Sequence, residues 1–507
     1  MALKKKNMIT GKRSAGILMH ITSLPGEYGI GTLGEEAERF AGFVKEAGFR
    51  YWQMLPVVQT GLGESPYQSV YASSGNPMMI DLEKLVKEKL LEESELSACR
   101  MPQDGKVHFE ELKPKKTELL RKAYSRFDTS QVCFKEFSEG NFRDYGLFMA
   151  LREKNGRKPF WEWLKRYRDH NESELENFYR KNRDEVNFWL FLQYEFFKQW
   201  KELKEYVNGL GIKIIGDIPL YMAYDSVDVW ANPQLFKLNK NLTCKKVAGV
   251  PPDYFSATGQ LWGNPVYDWK KHAEDGYSWW IGRIRQAFTI YDAVRIDHFR
   301  GFDRYYEIDA KADTAIDGKW RKGPGAALFE AAKEKLGELA FIAEDLGTLD
   351  AGVYRLMRKT GYPGMKVLQF AFDGNPGNPY LPANIKENSV CYTGTHDNDT
   401  LVGFVDGMTE AERANLLRIL KPLLQEAGIR EEADSSENIA EGMVDLALSC
   451  KSGLCVLPVQ DLLKLGGEAR MNVPSVASGN WRFRLKEEMS SELAEKIKGK
   501  LKVYKRI

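Results

Sequence analysis

The sequence has no excess of charge of either sign: 73 Lys and Arg residues are balanced by 71 Asp and Glu, which leaves a net charge of +2. This balance gives no reason to expect nucleic acid or an anionic membrane as a partner. The sequence also lacks an apolar run of the roughly 20 residues that a membrane-spanning helix needs. The basic N-terminal residues are followed by too short an apolar stretch for a secretory signal. We therefore expect a cytoplasmic protein with neither membrane nor nucleic acid among its partners.

Cysteine is scarce, with single residues at positions 99, 133, 244, 391, 450 and 455. No pair has the Cys-x-x-Cys spacing, so the sequence predicts neither a disulfide framework nor a zinc site. One Gly-x-Gly-x-x-Gly match, at residues 29–34, follows a loop that contains proline, and the next apolar run does not end in an acid. Both features argue against a dinucleotide site. These motifs give no argument for a bound metal or dinucleotide.

The 507-residue chain does contain a series of short apolar runs, each followed by a loop and then by helix-like periodicity. Eight such runs occur at residues 15–21, 51–57, 212–218, 293–297, 341–344, 365–372, 390–395 and 454–459. Continuous apolar runs are typical of parallel strands covered on both faces. The pattern predicts the α/β class and a (β/α)8 TIM barrel with inserted subdomains, whose functional groups lie at the C-terminal strand ends. A single interrupted barrel then spans residues 1–507.

Two stretches interrupt the pattern and predict the insertions. Residues 82–190 interleave charged residues with aromatics, and helical periodicity recurs there, which predicts a helical insertion between strands two and three. The aromatics of Phe160-Trp-Glu-Trp163 in this stretch could form a sugar platform, although their helical spacing favours a buried core. Residues 219–275 predict a loop-rich insertion after strand three. Within it, residues 247–269 contain Pro251, Pro252 and several glycines, which exclude regular secondary structure.

The fourth run ends in Arg295 and Asp297, which share one face of the predicted strand because strand side chains alternate. A guanidinium beside a carboxylate favours the ionised acid, and an ionised carboxylate at a strand end can serve as the nucleophile of a retaining glycosidase. For an isolated Arg-x-Asp, a structural ion pair is the alternative. Asp217 lies at another predicted strand end and Tyr221 follows it in a loop, and both are candidate substrate-binding residues.

Two further predicted strand ends carry acids. Glu344 shares a face with the apolar Ile342, and such surroundings predict a raised pKa and a role as proton donor. His396 and Asp397 end the seventh run, and a metal site is the alternative for this pair, but no third spaced ligand supports it. If the barrel closes, Asp297, Glu344 and Asp397 converge on one mouth. Two carboxylates flanking the scissile bond are the groups that glycoside chemistry requires.

Loops at the predicted mouth carry side chains that can bind sugars. Tyr67 follows the second run in a Gly-, Ser- and Pro-containing loop, where it can contact a sugar or only the loop's own backbone. Residues 247–269 hold several large aromatics, whose faces can cover the C–H faces of pyranose rings. Self-packing of this loop is the alternative. The candidate sugar-binding residues of this stretch are Asp253, Tyr254, Phe255, Trp262 and Asn264.

Taken together, these motifs resemble the 4-α-glucanotransferases called amylomaltase or disproportionating enzyme, which are relatives of the α-amylases. Similarity extends from Gly16-Ile-Leu-Met-His-Ile-Thr-Ser-Leu-Pro-Gly to Gly479-Asn-Trp481, nearly the whole chain. The order and spacing of the motifs make the resemblance specific. The most specific segments are Gly216-Asp-Ile-Pro, 253–264, Val294-Arg-Ile-Asp-His-Phe-Arg-Gly, Ala343-Glu-Asp-Leu-Gly and Gly394-Thr-His-Asp-Asn-Asp-Thr.

The resemblance implies a role for each matching residue. Asp297 would be the nucleophile and Glu344 the acid/base, while Asp397 would hold sugar hydroxyls and stabilise the distorted transition state. Arg295 would orient Asp297. The other implied glucan contacts are His298 and His396 at the ring, Tyr254, Phe255 and Trp262 in the acceptor-side loop, and Asn472 at the rim. The implied partners are α-1,4-glucans such as maltooligosaccharides, starch or glycogen chains, with no cofactor and no structural calcium. A monomer is our separate expectation, which the sequence itself does not decide.

Three positions depart from the family pattern. Glu64 stands where Asp is usual before Ser-Pro-Tyr, Leu62 stands where some members have an aromatic residue, and Ser475 replaces an expected Gly. These positions lie in peripheral loops, so they put product size in question and not the chemistry.

Three functions remain to be separated. The first is an α-1,4-glucan transferase that works by double displacement, and the second is a hydrolase of the same superfamily with water as acceptor. The third is an inactive glucan-binding protein on a barrel scaffold. Intact Asp297, Glu344 and Asp397 argue against the third, because binding alone does not need all three.

Overall fold

Twelve strands form two sheets in the computed structural model, which describes residues 7–252, 256–347, 349–429 and 435–507. In chain order the strands are β1 (Ser14–Leu18), β2 (Tyr51–Gln53), β3 (Lys213–Ile218), β4 (Lys246–Val250), β5 (Gln260–Pro265), β6 (Ala293–Ile296), β7 (Arg304–Asp309), β8 (Lys319–Lys322), β9 (Phe341–Ala343), β10 (Gly364–Val367), β11 (Ser389–Tyr392) and β12 (Leu454–Pro458). Eight of them close into a parallel barrel in the order β1, β2, β3, β6, β9, β10, β11 and β12, with β12 paired to β1.

The helices connect the barrel strands and build the insertions. They are α1 (Glu35–Glu46), α2 (Leu82–Lys87), α3 (Glu93–Leu96), α4 (Phe109–Arg126), α5 (Val132–Ser138), α6 (Arg143–Lys154), α7 (Lys165–Arg168), α8 (Glu172–Lys181), α9 (Arg183–Gly209), α10 (Val227–Ala231), α11 (Trp269–Glu274), α12 (Ser278–Ile290), α13 (Ala326–Leu336), α14 (Ala351–Thr360), α15 (Leu401–Asp406), α16 (Glu410–Glu426), α17 (Ser436–Ser449), α18 (Val459–Leu462) and α19 (Ser491–Val503). Short 3-10 turns occur between them. Among the helices of the described residues, none combines the length and apolarity that a bilayer crossing requires.

The eight barrel strands coincide with the eight apolar runs, so the predicted (β/α)8 fold class is confirmed. Seven of the eight strands end earlier than their runs, and β3 ends with its run at Ile218. The run at residues 365–372, for example, leaves the sheet at Val367 and continues as a 3-10 turn over Leu368–Ala371. These turn residues are still buried, apart from Phe370. Hydrophobicity therefore extends beyond the hydrogen-bonded ladder, because the first turn of each loop packs over the barrel end.

The helices α2 to α8 lie between β2 and β3, where the sequence predicts a helical insertion. Phe160 and Trp163 are buried there, and Trp163 and Trp230 both pack against Phe148. This burial favours the core interpretation of the two aromatics over a sugar platform. The long helix α9 follows and packs on α1 and β3, as a barrel helix does. The expected insertion limit at residue 190 falls inside α9, because this helix continues without a break from the insertion to the barrel wall.

The expectation that residues 247–269 lack regular structure is wrong. β4 and β5 pair as an antiparallel hairpin and join β7 and β8 in a four-stranded sheet of order β5, β4, β7, β8. Pro251 and Pro252 follow β4 directly and do not interrupt it. Gly249 serves a packing need, because a Cβ there would lie 2.1 Å from the Gln260 carbonyl oxygen across the hairpin. Glycine at such a close approach is easily mistaken for a loop signal.

Candidate active site

The acidic strand ends lie side by side because the barrel ladder continues past the strands. Asp217 on β3 is the register partner of Arg295 on β6, and Ile296 is the partner of Ala343 on β9. The Asp297 amide donates to the Ile218 carbonyl at 3.0 Å, and the Glu344 amide donates to the Ile296 carbonyl at 3.0 Å. Asp297 and Glu344 therefore end two neighbouring strands at the same edge of the barrel.

Arg295 joins two of these acids. Its guanidinium is buried and donates one Nη to the Oδ2 of Asp217 and the other to the Oδ1 of Asp297, the latter at 3.0 Å. The Tyr67 hydroxyl donates to the same Asp217 oxygen at 2.7 Å. Burial raises the pKa of Asp217, and the guanidinium opposes that rise. The Asp297 side chain is 30% exposed, so it is fixed from inside while one side remains open to the mouth.

Glu344 has the surroundings of a proton donor. Burial, together with the nearby Asp297 charge, raises its pKa to about 7 against the opposing effect of Arg295. Its two oxygens accept backbone N–H bonds from His298 and Leu346, both at 2.7 Å, which hold the carboxyl in one orientation. The predicted rise in the Glu344 pKa is confirmed, and its predicted cause, burial, is the largest one. A carboxyl group with this pKa can both donate and accept a proton near neutral pH.

Asp397 is held from the loop that follows β12. The Nδ2 of Asn472 donates to its Oδ1 at 2.6 Å, and the Arg470 guanidinium donates to its backbone carbonyl at 2.7 Å. The Asp397 side chain is 46% exposed, which leaves it available to a ligand. The side chain of the neighbouring His396 is only 8% exposed and stacks on Tyr67, with ring centroids 5.0 Å apart and an interplanar angle of 15°.

His298 and Tyr221 present polar atoms that the described residues do not satisfy. The Nε2 of His298 and the hydroxyl of Tyr221 are buried without a hydrogen-bond partner in the described part of the chain. Burial lowers the pKa of His298 to about 4, so the ring is neutral at pH 7. Its backbone is left-handed, with φ +48°, and such strain in a non-glycine residue clusters at functional sites. The edge of Trp262 meets the His298 ring at a centroid distance of 5.0 Å.

Other expected ligand-binding residues are less directly placed at the carboxylates. Asn264 is buried on β5, where its Nδ2 donates to the Met222 carbonyl at 2.8 Å and its Oδ1 accepts from Gln68 at 3.4 Å. These bonds brace the loop after β3. Asp253, Tyr254 and Phe255 lie outside the described residues.

The three departures from the family pattern differ in their surroundings. Glu64 accepts hydrogen bonds from Lys113 at 2.7 Å and from Thr60 at 3.1 Å, so its carboxylate is tied to α4. Ser475 has φ +68°, the left-handed region that favours glycine. The side chain of Leu62 lies outside the described part of the structure.

Sequence reasoning missed two site residues. Trp481 lies 5.9 Å from Tyr67 and 5.8 Å from His396 between ring centroids, and so completes an aromatic wall. Arg470 connects the loops after β11 and β12, because it donates both to the Asp397 carbonyl and, at 2.8 Å, to the Asn472 carbonyl. Trp481 belongs to a segment that carries the family resemblance, but the partners of both residues are remote in the chain, so no local pattern identifies them.

Comparison with known proteins gives one consistent result. The family model for 4-alpha-glucanotransferase matches residues 19–490. The 4-alpha-glucanotransferase of Clostridium butyricum is 44% identical over 497 residues, which cover 96% of this chain and 100% of the relative. That of Aquifex aeolicus is 41% identical over 498 residues, covering 97% of this chain and 99% of the relative. The amylomaltase from Streptococcus agalactiae, solved in complex with acarbose, superposes with a TM-score of 0.92 at 39% identity, over 98% of this chain and 100% of that one.

Each match thus extends over nearly the entire length of both chains compared. The sequence identities are well above those found between proteins that share only a fold. It includes all the strand ends described above, from Asp217 to Asp397, within the residues matched by the family model. The chain therefore belongs to the 4-alpha-glucanotransferase family.

Proposed function

We propose that this chain transfers α-1,4-glucan segments from a donor maltooligosaccharide or starch chain to the 4-hydroxyl of an acceptor glucan or glucose. The family supports the activity, and one observation supports the mechanism. A carboxylate fixed by a buried guanidinium, Asp297, ends the strand next to a carboxyl group whose pKa is raised to about 7, Glu344. A carboxylate held by a guanidinium beside a carboxyl group with a raised pKa suits a retaining double displacement.

In the first half-reaction Asp297 attacks the anomeric carbon of the donor, and a glycosyl ester forms as the glycosidic C–O bond breaks. Glu344 gives its proton to the departing 4-oxygen, so the leaving chain departs as a neutral alcohol. Positive charge develops on the sugar ring, and the carboxylate of Asp397 is available to bind its hydroxyls. The unpartnered atoms of His298 and Tyr221, which lack a partner among the described residues, are further groups for the same ring.

In the second half-reaction the acceptor's 4-hydroxyl attacks the anomeric carbon of the ester. Glu344, now ionised, takes the proton of that hydroxyl, and the Asp297 carboxylate is released. Water competes for the same ester, so transfer requires that an acceptor be bound and oriented while solvent is excluded. Trp262 lies on β5 beside His298, where its aromatic side chain is suited to hold the incoming sugar ring.

Pure maltotriose separates transfer from hydrolysis. Transfer conserves the number of reducing ends, because each bond broken is replaced by a new one, whereas hydrolysis creates one reducing end per event. We expect glucose and a ladder of longer maltooligosaccharides, with total reducing ends nearly constant, by chromatography combined with a reducing-end assay. Reducing ends that rise in step with maltotriose loss, without longer products, would identify a hydrolase.

The pH dependence of kcat/KM reports the protonation of Glu344. The group must carry its proton to act as acid, so activity is present below its pKa and is lost as pH rises through it. Because the pKa of Glu344 is raised to about 7, the basic limb of kcat/KM for maltotriose should have its midpoint near pH 7. Initial rates between pH 4 and pH 10 measure it, with a far-UV circular dichroism control for folding. A basic limb above pH 9 would contradict the assignment of Glu344.

The expectations of a cytoplasmic and monomeric protein remain proposals. All six cysteines are free thiols, which suits a reducing compartment. Light scattering coupled to size-exclusion chromatography tests the monomer, whose mass from the sequence is 58.0 kDa.

A further inference from the structure

The Arg295 guanidinium has a third contact besides its two carboxylates. Its Nε lies 3.4 Å from the Sδ of Met365, in the direction of a hydrogen bond to the thioether. Arg295 is buried, so no water could accept a hydrogen bond from its Nε–H if the protein offered no acceptor. The sulfur is a weak acceptor, but the donor is charged, which strengthens the bond.

Met365 is itself held firmly in the barrel. It is 1% exposed on β10, and the pairing of Gly364 with Ala343 sets it level with Glu344 on the neighbouring strand. Its backbone N–H donates to the Oδ1 of Asp345 at 2.6 Å, and Lys366 binds the other oxygen of that acid at 3.1 Å. The thioether thus approaches Arg295 from a fixed backbone, across β9.

We propose that Met365 is a positioning residue for the reaction, acting through Arg295 on Asp297. This inference rests on the proposed function, in which Asp297 is the nucleophile. Three contacts in different directions, to Asp217, Asp297 and Met365, fix both the position and the plane of the guanidinium. Loss of the third contact removes one of three restraints on rotation of the guanidinium about its Cδ–Nε bond, and its hold on Asp297 should then loosen.

A neutral sulfur suits this position better than the common alternatives. A third carboxylate would compete with Asp297 for the guanidinium and would add negative charge to a site that already contains Asp217, Asp297 and Glu344. A leucine of similar volume would fill the space but leave the Nε–H unpaired. The thioether satisfies the donor and also packs as an apolar side chain.

Two substitutions separate a hydrogen-bonding role from packing. Met365→Leu keeps the volume and removes the acceptor, whereas Met365→Gln keeps the length and supplies an amide oxygen. Met443→Leu is the matched control, because Met443 is fully buried in α17 and has no part in the site. Each variant is assayed with maltotriose and with α-maltosyl fluoride from pH 4 to pH 8, after its thermal unfolding has been measured.

For Met365→Leu we expect kcat/KM to fall about tenfold on both substrates, mainly through kcat. The fluoride should be affected as strongly as maltotriose, because Asp297 attacks both substrates and the fluoride differs only in not needing the proton of Glu344. Met365→Gln should return the rate to within about threefold of wild type, and Met443→Leu should match wild type.

The proposal is overturned if Met365→Leu retains the wild-type kcat, or if the Leu and Gln variants lose activity equally. The second pattern would mean that only packing matters. A failure of the proposed function is recognised separately: Asp297→Asn would then remain active, whatever the Met365 variants do.

Discussion

Replacing Asp297 by Asn should lower kcat for maltotriose by about four orders of magnitude or more. The amide cannot form the glycosyl ester, so the double displacement loses its first step. The fold should be unaffected, because Asn is nearly isosteric and its Oδ1 can still accept the bond that Arg295 gives at 3.0 Å. Loss of one negative charge beside the guanidinium changes the electrostatics of the pair but leaves Asp217 as a partner of Arg295.

The measurement combines product formation from maltotriose with thermal unfolding of the variant and wild type. Asp309→Asn is the matched control, since Asp309 ends β7, outside the barrel, and pairs with Lys246 at 3.0 Å. The control should keep wild-type kcat. Transfer by Asp297→Asn at a rate near wild type, from enzyme free of deamidated protein, would remove Asp297 from the nucleophile's role.

The barrel was predictable because its cause is local. A barrel strand is buried on both faces, by helices outside and by the barrel interior inside, so it is mostly apolar and appears in the sequence as a short run bounded by a loop. Once eight runs predict a barrel, its topology brings their C-terminal ends together, and Asp297, Glu344 and Asp397 become candidates before any coordinates exist. The raised pKa of Glu344 could be predicted likewise, because it follows from burial at a strand end.

The hairpin of β4 and β5 was not predicted because glycine and proline in this segment are typical of loops, and the support of the site was not predictable because its partners are remote in the chain. Gly249 looks like a loop residue until the carbonyl of Gln260 is placed opposite it. The partner of Arg470 is 73 residues away, and the thioether that meets Arg295 is 70 residues away. Such contacts join loops and strands that only the closed barrel makes neighbours, so a pattern within one segment contains no trace of them.

Replacing Glu344 by Gln should separate two kinds of substrate. The chain that leaves a natural glucan departs as an alkoxide unless it is protonated. Turnover of natural glucans should therefore fall by about two to four orders of magnitude. The fluoride ion of an α-glycosyl fluoride leaves with little assistance from an acid, so Asp297 in the variant can still attack this substrate. The second half-reaction, however, needs a base to take the acceptor's proton. The Glu344→Gln variant lacks such a base, so the glycosyl ester should accumulate.

Rapid quenching and intact-protein mass spectrometry after mixing with α-maltosyl fluoride should therefore detect a maltosyl adduct in Glu344→Gln and little in wild type. The substitution has a structural cost, because both carboxylate oxygens accept backbone N–H bonds, from His298 and Leu346. The new amide nitrogen must face one of these donors, which should cost about 1–3 kcal/mol of stability. The variant should thus unfold at a lower temperature than wild type yet remain folded at 25 °C. Equal loss of activity on both substrates, in folded protein and without an adduct, would mean that Glu344 is not the proton donor.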